Sequence, residues 1–394
     1  MIYRIKVWSR LTGEQRIVGE MVCEIAETGK SKGVFRYDRD FLHSEDAFSL
    51  DPVSLPLTQD VYSREHPGIF SIFEDSLPDD WGRRLLVRKH NLPRGKQHLP
   101  SLLVTLGASG LGALSYSEEL KPIGAWQDAS TIHLTTLLDA AEQFERGERN
   151  IPNIALLLGA GSSPGGGRPK ALLFDDANGV HCIAKFPSVK DHVDVVKIEA
   201  ATMKLAAHAG LVTPSVRLVS RGNRSVLLVS RFDITPTGRR HMASMQTLLK
   251  AQGYYQCRYV DILNVIRKYS EEPSVDSEQL FRRMVFNAVI GNTDDHLKNF
   301  WMVYGKKEGW RLSPAFDLLP DVGRNGEHVL FFDHNGYYPG RATLEKLGKS
   351  WGIRRPDRIV EEVFAALTRW QEEFRDTGVP DKDIAIFSEI DSRL

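Results

Sequence analysis

An α+β fold is the class this sequence predicts, and three observations point to it. Runs with strand-like alternation open the chain and return between residues 171 and 229. Beyond Arg231-Phe232-Asp233 the apolar residues fall instead at helical spacing. Glycine-rich punctuation at 107–112 and 159–167 separates the stretches. The chain therefore reads as three parts, 1–115, 116–233 and 234–394.

The first part is a small α/β module. Residues 3–8, 17–25 and 33–37 have the pattern of half-buried strands. Pro78-Asp79-Asp80 starts a helix through Trp81, Leu85, Leu86 and Arg88, with its acidic pair at the positive end of the helix dipole. Gly107-Ala108-Ser109-Gly110-Leu111-Gly112 marks a turn region and the module border. Residues 134–145 form a further amphipathic helix, ended by 147–152.

The central part reads strand, loop, strand. Residues 159–167 are a flexible loop, 171–174 a strand, Asp176-Ala177-Asn178-Gly179 a hairpin-type turn, and 181–186 the returning strand. A helix over 196–208 follows, with Gly210 as its stop. Strands over 216–219 and 226–229 are joined by a turn at Gly222-Asn223. In the last part Phe281, Met284, Val285, Ala288 and Val289 share a helical face. Ile359, Val360, Val363, Phe364, Leu367 and Trp370 form another stripe, read as core packing.

Composition narrows the function classes. Lys plus Arg and Asp plus Glu both number 51, so no global field draws in nucleic acid or membrane. Cys23, Cys182 and Cys257 are too scattered for a metal site or disulfide framework, which suits a reducing cytosol. No apolar run approaches the ~20 residues needed to span a bilayer, and the N-terminus does not read as a signal peptide. The expectation is a soluble, cytoplasmic protein. His181, His192, His208 and His241 show no metal spacing.

The chemistry concentrates in Asn292-Thr293-Asp294-Asp295-His296-Leu297-Lys298-Asn299, followed by Asp317 in Ser313-Pro314-Ala315-Phe316-Asp317. Phosphoryl transfer needs an acceptor for the hydroxyl proton and oxygen ligands for magnesium. Asp294 is the candidate base; Asn299 and Asp317 are the candidate metal ligands. Upstream lie the loop Gly161-Ser162-Ser163-Pro164-Gly165-Gly166-Gly167 and an isolated strand lysine, Lys185. Glycine-rich backbone can wrap phosphates, and a lysine held by a helix carboxylate, here Glu199, can meet them. Loop, lysine, Asp/Asn and Asp stand in protein-kinase order. The fold expected is bilobal and protein-kinase-like with an additional N-terminal α/β subdomain, using ATP and Mg2+.

Other readings compete. Gly161-Ser162-Ser163-Pro164-Gly165 matches the Gly-x-Ser-x-Gly elbow, with Asp294 and His296 later in hydrolase order. That elbow needs a helix directly after the serine, whereas Pro164, three glycines and Pro169 follow here, then a strand. A small-molecule kinase remains open, because the Asp/Asn/Asp machinery does not reveal the acceptor. So does a co-repressor with little catalysis.

The chain resembles the HipA family of serine/threonine kinases, the toxin half of a bacterial toxin–antitoxin pair, over nearly its whole length. Phe35-Arg36-Tyr37-Asp38 and Ser54-Leu55-Pro56-Leu57 resemble the family's N-terminal subdomain. The 161–170 loop, residues 183–187, Arg231-Phe232-Asp233, and above all Asn292-Thr293-Asp294-x-His296-x-Lys298-Asn299-Phe300 resemble its kinase core. The resemblance implies that Asp294 is the base, that Asn299 and Asp317 bind magnesium, and that Lys185 meets phosphate. It implies nucleotide contacts from Ser163, Pro164, Gly165, Gly166, Gly167, Arg168, Lys170, Ser230, Phe232 and His296. Ser163 matches the loop serine that family members autophosphorylate, with Ser162 as the alternative. It also implies a HipB-like helix-turn-helix antitoxin, operator DNA contacted through it, and a protein substrate such as an aminoacyl-tRNA synthetase. Two departures stand out: the loop is unusually rich in glycine and proline, and Ser230 stands where an acidic hinge residue is common.

Overall fold

The structure, a computed structural model, describes residues 1–121, 129–148, 150–159, 167–253, 257–323 and 325–394. It contains two compact units. One gathers Met1–Ala184, Arg231–Lys250 and Val303–Gly309; the other gathers Lys185–Ser230, Ala251–Met302 and Trp310–Leu394.

The first unit is built on an antiparallel sheet of β1 (Ile2–Ser9), β2 (Arg16–Ile25), β3 (Ser31–Tyr37), β4 (Tyr62–Arg64) and β5 (Leu114–Ser117), in the order β4-β3-β2-β1-β5. The alternation in the sequence becomes a register: Ile5 faces Met21, and Met21 faces Phe35, all fully buried. Gly19 is required beside them, because a Cβ there would lie 2.7 Å from the Phe35 ring. Helix α1 (Asp80–Lys89) starts where the acidic pair predicts. Asp79 caps it by accepting from the Gly82 N–H at 2.8 Å. It buries Trp81, Leu85 and Leu86, each such burial contributing about 1.5–3 kcal/mol. Helices α2 (Leu99–Leu106) and α3 (Leu134–Glu145) follow, the second over the residues whose amphipathic pattern predicts it.

Strands β6 (Lys170–Asp175) and β7 (Val180–Lys185) follow, joined by a turn in which the Gly179 N–H donates to the Asp175 carbonyl at 2.8 Å. The Arg231-Phe232-Asp233 motif forms a buried two-pronged ion pair. Arg231 Nε and Nη2 donate to Asp233 Oδ1 and Oδ2 at 3.0 and 2.7 Å. Burial would raise the Asp233 carboxyl, but Arg231, Arg239 and the Gly112 N–H together hold the pKa below its ordinary value.

In the second unit, α4 (Val195–His208) packs Val196 and Ala200 against Leu227 and Val229. Those last two belong to β9 (Arg224–Ser230), which pairs antiparallel with β8 (Val216–Arg221). Helices α5 (Tyr259–Tyr269), α6 (Pro273–Ile290), α7 (Arg341–Ser350), α8 (Pro356–Leu367) and α9 (Trp370–Asp376) make the larger part. Helix α6 is its centre, with Phe281, Met284, Val285, Ala288 and Val289 all at 0% exposure. Gly348 of α7 lets the neighbouring helix approach; a Cβ there would lie 2.6 Å from the Phe281 ring. The stripe read across 359–370 is buried throughout, although the helix breaks between Leu367 and Trp370. Among the described residues no helix is long and apolar enough to cross a membrane.

Candidate active site

Helix α6 ends at Gly291, whose φ of 77° lies in the left-handed region that glycine adopts without strain. The chain then enters the 292–299 loop. Asn292 is fixed at its start, donating from its backbone N–H to the Asn287 carbonyl (3.0 Å) and from Nδ2 to Asn287 Oδ1 (3.1 Å).

The paired aspartates point in opposite directions. Asp295 is 1% exposed and accepts three hydrogen bonds: from Tyr259 Oη (2.5 Å), from the Leu330 N–H (3.1 Å) and from His328 Nδ1 (3.1 Å). Tyr259 Oη accepts in turn from Asn287 Nδ2 at 3.0 Å. Asp295 is thus an anchor, satisfied inside the unit. Asp294 projects outward, with 81% of its side chain exposed and His296 Nε2 at 3.7 Å from Oδ1. The protein packed beside it pushes its carboxyl above the ordinary range. His296 works against that shift; the negative charges of Asp317, Asp295 and Asp321 add to it.

Asn299 is 2% exposed and donates from Nδ2 to the Asp294 carbonyl at 2.8 Å. A carbonyl only accepts, so the amide group faces it and Oδ1 faces away. That oxygen is buried with no hydrogen-bond partner among the described residues. Lys185, at the end of β7, donates to Glu199 of α4 and to Asp317 Oδ1 at 2.7 Å. Burial opposes its charge, but Asp317 and Glu199 together raise its pKa. Asp317 has a left-handed φ of 57°, uncommon for a side-chain-bearing residue. Such strain persists where the surroundings over-determine it.

One unit therefore holds Lys185, Glu199, Asp294, His296, Asn299 and Asp317. Ser230 belongs to the same unit; the remaining expected residues belong to the other unit or lie outside the described residues. Ser162, Ser163, Pro164, Gly165 and Gly166 lie outside the described residues. Gly167 is exposed and Arg168 half-buried. Lys170 is buried on β6, 2.8 Å from Asp79, and so ties that strand to the cap of α1. The Ser230 hydroxyl meets that of Ser215 at 2.9 Å. The Phe232 carbonyl accepts from Arg240 Nη1 at 3.0 Å. Sequence reasoning gave no role to Tyr259, Arg283, Asp295 or His328. The Asp-Asp doublet was the available signal, since only one of its two carboxylates had been given a role.

The oxygen-rich set suits a hard cation. Asn299 presents a buried oxygen lacking a partner, and Asp317 presents a carboxylate. Among the described residues no cluster of His, Cys, Asp or Glu forms a protein-only metal cage.

Two family models match the chain. The HipA-like C-terminal domain covers residues 162–371, and the HipA N-terminal domain covers 16–117. This chain belongs to the HipA family. "Putative kinase Y4dM" of Sinorhizobium fredii is 26% identical over 78% of this chain and 76% of that protein. "Putative kinase Y4mE" of the same organism is 28% identical over 52% and 53%. A solved structure of the Shewanella oneidensis MR-1 toxin–antitoxin complex of HipA, HipB and operator DNA contains a chain of the same fold. It has a TM-score of 0.68, 17% identity, and coverage of 99% of this chain and 95% of that one. The HipA-like kinase fold with its N-terminal domain is thereby established, as the α+β reading expected.

Proposed function

We propose that this HipA-family chain is a serine/threonine-protein kinase that uses ATP and Mg2+. The observation that carries the reading is the double engagement of Lys185, bonded at once to Glu199 and Asp317 in the unit that also presents Asp294 and Asn299. A lysine so held keeps its charge and its place, ready to meet phosphate oxygens.

The chemistry follows from the side chains. An acceptor hydroxyl attacks the γ-phosphorus, the bond to the β–γ bridging oxygen breaks, and ADP leaves. Asp294 takes the hydroxyl proton, and its raised pKa makes it a better proton acceptor than an ordinary aspartate. Asn299 and Asp317 are the residues that would hold Mg2+, which supplies charge neutralisation on the phosphates. Tyr259 and His328 keep Asp295 in place, so that Asp294 faces solvent.

The finer assignments belong to the same proposal. Ser163 is the autophosphorylation site, and a phosphate there, adding about −1.5 to −2 charges, repels the loop from bound ATP. The partner is a HipB-like helix-turn-helix antitoxin that brings operator DNA, and the place of action is the cytoplasm. The substrate is a protein hydroxyl, with an aminoacyl-tRNA synthetase as the class to try first. Incubation with γ-labelled ATP and candidate proteins, followed by phosphoamino-acid analysis, tests this. Phosphoserine or phosphothreonine on a protein acceptor supports the reading; label confined to small molecules overturns it.

A further inference from the structure

Arg283 lies on α6 with 2% of its surface exposed. Nη2 donates to two backbone carbonyls, that of Asn299 at 2.9 Å and that of Phe316 at 3.2 Å. Its guanidinium carbon stands 4.0 Å from the centre of the Phe300 ring and 5.8 Å from that of Phe316. Nε and Nη1 are buried without a hydrogen-bond partner among the described residues. Burial lowers its pKa to about 10, against the opposing pull of Tyr259, Asp317 and Asp295, so the group stays charged at neutral pH.

The contacts fall on two short segments. One is Asn299-Phe300; the other is Phe316, the residue just before Asp317. Asp317 is itself in the left-handed region, a conformation that its neighbours must impose. Lys185 restrains its carboxylate, and Arg283 restrains the carbonyl that precedes it.

We propose that Arg283 is a positioning residue for divalent-metal binding, tying the backbone at Asn299 to the backbone before Asp317 and so setting the spacing of the two oxygen donors. Arginine suits the role. Its planar group reaches two carbonyls while lying against aromatic faces, and a lysine ammonium does not reproduce that geometry.

The inference rests on the kinase reading and is tested on the full chain. Wild type, Arg283→Lys, Arg283→Met and the same-helix control Arg282→Met are compared. Mn2+ binding is followed by electron paramagnetic resonance with a non-hydrolysable ATP analogue present. Analogue affinity without metal is followed by calorimetry, and folding by circular dichroism. Both Arg283 variants should weaken Mn2+ binding by about tenfold or more while metal-free nucleotide affinity stays within about twofold. Arg282→Met should leave Mn2+ binding unchanged. A folded Arg283→Met with wild-type Mn2+ affinity overturns the inference. So does a parallel fall of metal and metal-free nucleotide binding, which would mark a general collapse. If Arg283→Met does not fold, Arg283→Lys, which keeps bulk and charge, decides the matter by the same criterion. A wild-type chain showing no metal-dependent nucleotide binding sinks the kinase reading first, and this inference with it.

Discussion

Removing one hydroxyl should loosen the loop that aims Asp294. In Tyr259→Phe the ring keeps its stacked contact with Phe332 (5.6 Å between centroids) and its edge contact with Phe300 (5.8 Å). Packing is therefore preserved and the change isolates hydrogen bonds. Asp295 loses the 2.5 Å bond from Tyr259 Oη, one of its three, and Asn287 Nδ2 loses its 3.0 Å acceptor. Tyr259 and Asp295 are 0% and 1% exposed, so water does not replace what is lost. A hydrogen bond to a buried charged group contributes roughly 1.5–3 kcal/mol, which sets the expected loss at about 2 kcal/mol. For a chain of 394 residues that corresponds to a melting temperature lower by about 2–3 °C. Calorimetry measures the shift, and hydrogen exchange at the Leu330 amide, which also donates to Asp295, reports the loop itself. Phosphoryl transfer should fall while metal-free ATP affinity holds. A melting temperature within a degree of wild type, with unchanged exchange at Leu330, would refute the anchoring role given to Asp295.

Three further outcomes are expected. Lys185→Met leaves Asp317 and Glu199 without their shared cation at a site where all three side chains are under a third exposed. It should lose about 3 kcal/mol in urea denaturation as well as ATP affinity, and Lys185→Arg should lose less. His241 is 1% exposed, and burial pushes its pKa down to about 4 although its bond with the Leu50 carbonyl pulls it up. Its neutral form is the folded form, so its contribution is complete above an unfolded pKa of about 6.5 and is lost as pH falls toward 4. The loss amounts to about 3 kcal/mol at most, and His241→Gln should flatten the melting-temperature profile between those pH values. Asn299→Ala removes the buried oxygen that lacks a partner. It should raise the Mg2+ concentration for half-maximal transfer by about tenfold, as read from a metal titration, with little change in melting temperature.

The parts of this fold that were legible in the sequence are those set by local chemistry. Helix α1 announces itself through Asp79-Asp80, α4 through its stop at Gly210, and the β6–β7 turn through Asn178-Gly179. Helix α6 was visible from the stripe that includes Phe281 and Val285. What the sequence hides is pairing at a distance. Nothing local to Lys170 says that it will stand 2.8 Å from Asp79. Residues 231–250 group by contact with residues 1–184, and a linear scan has no means to see this. The same holds within the site. Asp294, Asn299, Asp317 and Lys185 were readable as residue types in order, and the structure places them in one unit. Tyr259 and Arg283 were invisible, because an aromatic or a basic residue on a helical stripe looks like core or surface until its partner is known, and His328 lies in a loop with no pattern of its own.

The central claim is that this chain transfers the γ-phosphoryl of ATP by way of Asp294. The most direct test is the intact mass of wild type and Asp294→Asn, each confirmed unphosphorylated beforehand, after incubation with MgATP. The account predicts a gain of one phosphate on wild type, mapped to Ser163, with ATP binding retained but no gain on the variant. Equal phosphorylation of both proteins, or no ATP binding by wild type, would contradict it.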